Sequence, residues 1–176
     1  LAHKASEQAK SGAEECTTLC EAIVTMAQQL RAQLAAIEAA RNSAEASVAS
    51  ANQWVGESEE KLSTAVEAAS TSSPDHEGIS DALEAVRSQA TAARAAAASA
   101  SEAAEQANTT DEDKVAEQAA KDAQAAANSA EEAAAAAETA LQNLFEAIQA
   151  EQVRLATEAE EKLATAHGRA SSAAAH

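Results

Sequence analysis

The first 70 residues carry apolar side chains in two alternating columns that repeat every seven residues. One column contains Cys20, Ala27, Leu34, Val48, Val55 and Leu62, and the other contains Ile23, Leu30, Ile37, Ala44 and Ala51. Arg41 is the exception in the first column. A heptad pattern held over about six repeats is typical of a coiled-coil surface. The pattern therefore predicts a helical segment over residues 3–70.

Two further helical segments follow, each after a break. Residues 71–78 combine the only proline with a glycine and small polar side chains, and residues 108–111 contain side chains that favour helix caps. Between the breaks, residues 79–107 keep the spacing of three and four residues mostly with alanine, and a last helix is predicted over residues 112–167. The chain is therefore predicted to be a single elongated domain over residues 1–176 with two reversals.

The large apolar side chains concentrate in residues 19–37 and 141–163, and we expect these two stretches to pack on each other. A third reversal at Gly56 would make the first and last helices antiparallel neighbours over roughly 80 Å. The alternative is that Gly56 lies inside one helix, because Val55 and Leu62 keep the heptad phase across it. The predicted fold class is all-α, an elongated antiparallel bundle of three to four helices with coiled-coil-like seams and long first and last helices.

Composition and charge narrow the range of partners. The hydrophobic fraction of 46% is mostly alanine, which buries little area per side chain and favours a rod over a compact core. A net charge of -17 repels nucleic acid and anionic lipid surfaces, so neither is an expected partner. The chain also has no strongly apolar run long enough to predict a membrane span.

Cys16 and Cys20 are the only cysteines and lie one helical turn apart on one face. A disulfide between them would strain a regular helix. The pair therefore has two interpretations, a local disulfide or two half-buried thiols. The histidines lie at chain ends and breaks without the spacing of metal ligands, so we expect no metal and no cofactor. These histidines are His3, His76, His167 and His176.

Asn108 begins the only N-x-[ST] sequence and is a candidate glycosylation site, because it falls in a predicted turn between helices. Glutamate runs at residues 59–60, 131–132 and 158–161 are interpreted as solvated helix faces. The sequence contains no phosphate-binding loop, no serine nucleophile motif and no zinc motif. We therefore expect no catalytic residue, no small-molecule substrate and no enzyme activity.

The glutamate and alanine composition, the rod-like helices and the threonine-bearing breaks at residues 70–74 and 108–111 resemble the glutamic-acid/alanine-rich surface protein of African trypanosomes. The architecture is similar to that of the variant surface glycoproteins and the haptoglobin-haemoglobin receptor. The resemblance implies a coat protein on the extracellular face of the plasma membrane, held by a GPI anchor that lies outside these 176 residues. It carries over no binding residue.

A coat of this kind would form a protective layer with at most weak lateral self-association, because each chain carries a net charge of -17. Two other functions are compatible with the sequence. One is a ligand-binding surface receptor with the same helical-bundle architecture. The other is an intracellular alanine-rich helix protein that protects against stress.

Overall fold

The computed structural model describes residues 2–72 and 77–174. It contains three helices, α1 (Ala2–Ser70), α2 (Glu77–Thr109) and α3 (Asp113–Ala174). Helices account for 97% of the described residues, which include no strand. The predicted all-α class and the helical bundle are therefore confirmed.

Hydroxyl side chains form hydrogen bonds at both breaks between the helices. At the end of α1, the hydroxyls of Ser70 and Thr71 donate to the carbonyl oxygens three residues earlier, at 2.7 and 2.9 Å. The Glu67 carbonyl oxygen also accepts the Thr71 backbone N–H at 3.2 Å, so the hydroxyls add to the backbone bonds at this helix C-terminus. Between α2 and α3, the Thr110 hydroxyl oxygen accepts a hydrogen bond from the Glu112 backbone N–H at 3.2 Å. The same residue types that predicted the breaks therefore supply the polar contacts at them.

The first and last helices run parallel to each other. Ser47 Oγ in α1 lies 3.2 Å from Gln124 Oε1 in α3, and Lys61 Nζ lies 3.4 Å from Glu138 Oε2. Both pairs are separated by 77 residues, so α1 and α3 advance together. The intervening α2 runs in the opposite direction and contacts both. The antiparallel pairing of the first and last helices, which depended on a reversal at Gly56, is therefore not formed, and each of the two helices is antiparallel to α2 instead.

Gly56 lies inside α1 and does not reverse the chain. It is exposed, and a Cβ added there would meet nothing within 4 Å. Of the two interpretations of Gly56, the reversal is wrong and the interior glycine is right. Because the third reversal is absent, residues 19–37 and 141–163 lie far apart along the rod. The expectation that they pack on each other is wrong.

A closed three-helix bundle extends from the level of Ile37 to that of Glu151, the first and last buried residues. Most buried side chains are alanine, and small residues at helix contacts allow the axes to approach closely. Larger side chains join them mainly near the turn between α1 and α2. These are Ile79, Val86, Leu141, Leu144 and Ile148.

Single-helix extensions leave the two opposite ends of this bundle. The N-terminal extension is residues 2–36 of α1, and the C-terminal extension is residues 152–174 of α3. Residues of α1 lie beside residues of α3 whose numbers are higher by 77. The described chain therefore measures roughly 140 Å from the start of α1 to the end of α3 at 1.5 Å per residue. Within the described residues, none of the helices has the length of apolar sequence that crossing a membrane requires.

Candidate functional site

The N-terminal extension carries a continuous apolar face that is open to solvent. Its large side chains are between 54% and 66% exposed, and we call this set the apolar face. They are Leu19, Ile23, Val24, Met26, Leu30 and Leu34. Single exposed apolar residues are ordinary, whereas a contiguous set on one helix marks a contact surface. The apolar face is therefore the strongest candidate site in the molecule.

The apolar face continues the surface by which α1 joins the bundle. Leu34 is 55% exposed, whereas Ile37, one turn later on the same face, is 7% exposed. The change occurs at the level where α2 ends at Thr109 and α3 begins at Asp113. Below that level α1 has no neighbouring helix among the described residues. The lengths of the helices, and not a change in the heptad pattern, therefore expose this face.

Arg41 lies at the boundary between the bundle and the N-terminal extension. Its Nε donates to the Ala107 carbonyl oxygen at 3.2 Å, and its Nη2 donates to the Thr110 carbonyl oxygen at 2.9 Å. Carbonyl groups at a helix C-terminus lack partners and carry partial negative charge, which favours a cation there. The arginine that interrupts the heptad column is therefore a cap for α2. The sequence shows the exception but not which helix end lies beside it.

A charged cluster lies where α3 leaves the bundle, among the exposed apolar side chains Val153, Leu155 and Leu163. Arg154 donates two hydrogen bonds to the carboxylate of Glu151, at 2.7 and 2.8 Å. Glu158 accepts from Arg154 at 3.1 Å and lies 2.7 Å from Lys162 Nζ. The hydrogen bonds and charge of Glu151 raise the pKa of Arg154 above its usual range. Hydrogen bonding and charge from Lys162, followed by the charge of Arg154, lower the pKa of Glu158.

Cys16 and Cys20 are separate, exposed thiols in the structure. They occupy heptad positions on two successive turns of the N-terminal extension, next to the apolar face. The local disulfide is therefore not formed in this structure. In the single chain the thiols are exposed and not half-buried, because no other described helix covers this part of α1.

Asn108 is exposed in the last turn of α2. It borders a shallow depression between α1 and α2 that Glu45 and Val48 also line. The position leaves the side-chain amide accessible, and its glycosylation stays a prediction.

Histidines and glutamates of the described chain do not form a metal site. His3 and His167 lie on different extensions, and His76 and His176 lie outside the described residues. No group of three or more histidine, cysteine, aspartate or glutamate side chains is arranged for a metal ion within residues 2–72 and 77–174. The Glu59-Glu60 run and residues 131–132 are exposed on the bundle, where Glu59 accepts a hydrogen bond from Arg94 at 2.9 Å.

The negative charge of the chain belongs almost entirely to the bundle. Residues 37–151 contain 22 acidic and 6 basic side chains, hence a net charge of -16. The N-terminal extension contains four acidic and three basic side chains, and the C-terminal extension contains three of each. Electrostatic repulsion between copies therefore acts on the bundle and is nearly absent at the extensions.

The surface depressions of the described chain are shallow and open to solvent. One lies between α1 and α3, lined by residues such as Ala40, Lys121 and Gln124, and another lies on the surface of α1 beside Met26 and Leu30.

Comparison of the chain with known protein families, with curated proteins and with solved structures found no match. The shape, the charge distribution and the apolar face are therefore the features from which a function is argued.

Proposed function

We propose that this chain is a structural protein without catalytic activity, a helical spacer in a protective layer on the extracellular face of a plasma membrane. The observation that carries the proposal is the staggered pair of long helices. α1 and α3 contain 69 and 62 residues, and each residue of α1 in the bundle lies beside the residue of α3 whose number is higher by 77. The two helices therefore overlap only in part and give a rod of roughly 140 Å. A rod of one to three helices in cross-section extends far from a surface while occupying little area on it.

The charge of the bundle supports the same proposal. A net charge of -16 on residues 37–151 makes neighbouring bundles repel one another and repel anionic polymers. Rods of this kind pack side by side only when they are held at a surface. The proposal therefore includes a lipid anchor outside these residues, as the resemblance to GPI-anchored coat proteins implies.

The location is tested on intact cells that express the full-length gene. Antibodies raised against the bundle should label unpermeabilised cells, and phosphatidylinositol-specific phospholipase C should release the label. An intracellular control protein must stay unlabelled before permeabilisation. Labelling that appears only after permeabilisation would contradict the surface layer and favour the intracellular alternative.

The spacer activity is tested with purified protein tethered by its C-terminus to a supported bilayer that contains a fluorescent lipid. We expect the layer to slow the access of an anti-fluorophore antibody to the lipid. A compact globular protein of about the same mass of 17.8 kDa, tethered at equal density, is the control. Equal antibody access to both layers would contradict the proposal. Retention of a specific soluble ligand from serum or gut extract would instead favour a receptor.

A further inference from the structure

We propose that two copies of this chain pair through their N-terminal extensions, as an antiparallel coiled coil that buries the apolar face of each copy. The inference depends on the apolar face and on the charge distribution, and not on the proposed function. In the antiparallel pair the two C-terminal extensions point in opposite directions, so the pair concerns free chains and not two copies tethered by their C-termini to one membrane. The bundles of the two copies would lie at opposite ends of the shared segment.

The heptad pattern indicates that the occupant of the apolar face is a helix. One column, which α1 buries against α2 and α3 at Ile37, Ala44 and Ala51, continues without a change of phase through Leu30 and Ile23. Leu34 continues the other column, which is partly buried in the bundle at Val48, Val55 and Leu62. A heptad surface accepts the side chains of another helix between its own. The apolar face is therefore continuous with an established helix–helix interface and has the same periodicity.

Isolated helices are marginally stable in water, and most helical stability in proteins comes from packing of an apolar face. The N-terminal extension is a helix of 35 residues that rises roughly 50 Å beyond the bundle. Its side chains at residues 19–34 are exposed apart from Ala27, which is partly buried. Pairing with a second helix would provide the packing that the extension does not receive from its own chain.

A second copy of the chain fits this surface because the extension is nearly neutral. Its four acidic and three basic side chains leave a net charge of -1, against -16 for the bundle. The C-terminal extension is the less suitable occupant. Beyond Leu155, the seam of α3 continues with Glu158 and Lys162, which are already joined by an ion pair at 2.7 Å. Pairing of two identical surfaces also gives a closed twofold dimer, the commonest symmetry of oligomers.

Charge and side-chain volume both favour the antiparallel orientation. A parallel coiled coil would bring two bundles of net charge -16 side by side, whereas an antiparallel one separates them by the length of the extensions. In the antiparallel register centred near residue 25, Ile23 lies opposite Ala27 of the second copy. Leu30 then lies opposite Cys20, and Leu34 lies opposite Cys16. Each layer combines a large side chain with a small one, which favours close packing.

Sedimentation equilibrium of the whole chain at physiological salt tests the pairing. We expect a monomer–dimer equilibrium with a Kd on the order of a micromolar or tighter. The double substitution Ile23→Glu and Leu30→Glu should weaken the dimer at least ~100-fold, because each charge enters a symmetric interface twice. Both positions are at least 60% exposed in the single chain, so the helical content and unfolding temperature of the bundle should not change.

The matched control is the double substitution Gln28→Glu and Ala32→Glu. It adds the same two charges to the same helix at exposed positions outside the heptad columns. We expect the control variant to keep the dimer affinity of the unmodified chain within about threefold. Equal loss of affinity in both variants would show that general charge, and not the apolar face, governs association.

Oxidative cross-linking tests the orientation. In the antiparallel register Met26 of each copy lies near the twofold axis, so Met26→Cys in a Cys16→Ser, Cys20→Ser background should form covalent dimers. In the unmodified chain, a parallel coiled coil would instead join the native cysteines, Cys16 to Cys16 and Cys20 to Cys20. The same parallel arrangement would leave the Met26→Cys variant without cross-links.

Three results would overturn the inference. The unmodified chain could remain monomeric up to about 0.1 mM, where a micromolar dimer is fully formed. It could assemble into open chains that lengthen with concentration, which would indicate pairing of the N-terminal extension with the C-terminal extension of another copy. Cross-linking could occur through Cys16 and Cys20 and not through the Met26→Cys position, which would show a parallel dimer.

Discussion

The bundle and the N-terminal extension share one helix and one heptad pattern, yet they use apolar residues in opposite ways. In the bundle, α1 buries mainly small side chains such as Ala44, Ala51 and Ala65, each 0% exposed. In the extension, the same column carries Ile23 and Leu30, which are 60% and 66% exposed, and Leu34 in the neighbouring column is 55% exposed. The size of an apolar side chain in α1 therefore does not tell whether the chain itself buries it. The presence of a second helix at the same level decides that.

The bundle shows how alanine can hold three helices together. A buried methyl group contributes little by itself, at roughly 25 cal/mol per Å² of buried apolar area. Close approach of the helices lets such contacts accumulate along the 33 residues of α2. Hydrogen bonds between helices also fix the register of one helix against another, as in the bond from Lys61 Nζ to the Ala134 carbonyl oxygen at 3.2 Å. The extension has larger apolar side chains, but no described partner helix buries them.

The largest expected difference between the two regions comes from truncating one leucine in each. Leu144→Ala should lower the free energy of unfolding by about 2 to 4 kcal/mol, because Leu144 is 0% exposed and its removal leaves a cavity. Leu34→Ala should change it by less than about 0.5 kcal/mol, because Leu34 is 55% exposed. Urea unfolding followed by circular dichroism measures both. The background should be the Ile23→Glu, Leu30→Glu chain, so that pairing does not contribute.

A large effect of Leu34→Ala in that background would show that the extension packs within its own chain. The comparison of bundle and extension would then be wrong. A small effect of Leu144→Ala would instead show that the bundle does not depend on its larger core residues.

A smaller difference is expected for one arginine in each region. Arg41→Ala should destabilise the bundle by about 1 to 2 kcal/mol, because it removes two charge-assisted hydrogen bonds to the end of α2. Arg31→Ala, at an exposed position of the extension, should stay within about 0.5 kcal/mol. Arg41→Lys keeps the charge and should recover part of the loss. Equal effects at both arginines would show that Arg41 does not stabilise the end of the bundle.

The smallest expected effect concerns pH and the C-terminal extension. The pKa of Glu158 is lowered in the folded chain, mainly by its hydrogen bond with Lys162. A carboxyl group with a lowered pKa stabilises the folded state above its ordinary pKa of about 4.3, and this contribution is lost as pH falls through the lowered value. Helix ordering near residues 154–162 should therefore persist at pH 5 and weaken only at more acidic pH.

Backbone NMR shifts of this segment measure the acid response, with Glu158→Gln as the control that should abolish it. A response centred above the ordinary carboxyl range would contradict the lowered pKa. The bundle should keep its helices at pH 4, because protonation of its exposed glutamates relieves repulsion.

The sequence was sufficient to predict the helices but not their pairing. Alanine and glutamate favour helix, and the proline and the Asn108-Thr109-Thr110 turn mark places where helices end. The direction in which α1 and α3 run was not predictable in the same way. It depended on Gly56, and a single exposed glycine costs a long helix only about 1 kcal/mol, so it does not force a turn.

The apolar face was not predicted as a site. Its heptad columns are visible in the sequence, but the sequence-based expectation is that they pack against residues 141–163 of the same chain. A sequence pattern shows that a helix face is apolar and gives no information on which helix covers it. The lengths of the helices contained the missing signal, since α2 has 33 residues and α1 has 69, so α2 cannot cover the whole seam. The function of Arg41 as a cap required the structure.

Hydrogen exchange along α1 at two protein concentrations, one below and one above the Kd for pairing, tests the central claim most directly. Amides of residues 40–69 lie in the closed bundle and should be equally protected at both concentrations. Amides of residues 16–34 should exchange rapidly in the dilute sample and become protected in the concentrated one. Protection of residues 16–34 that is already strong in the dilute, monomeric sample would contradict the account, because it would mean that the chain covers its own apolar face.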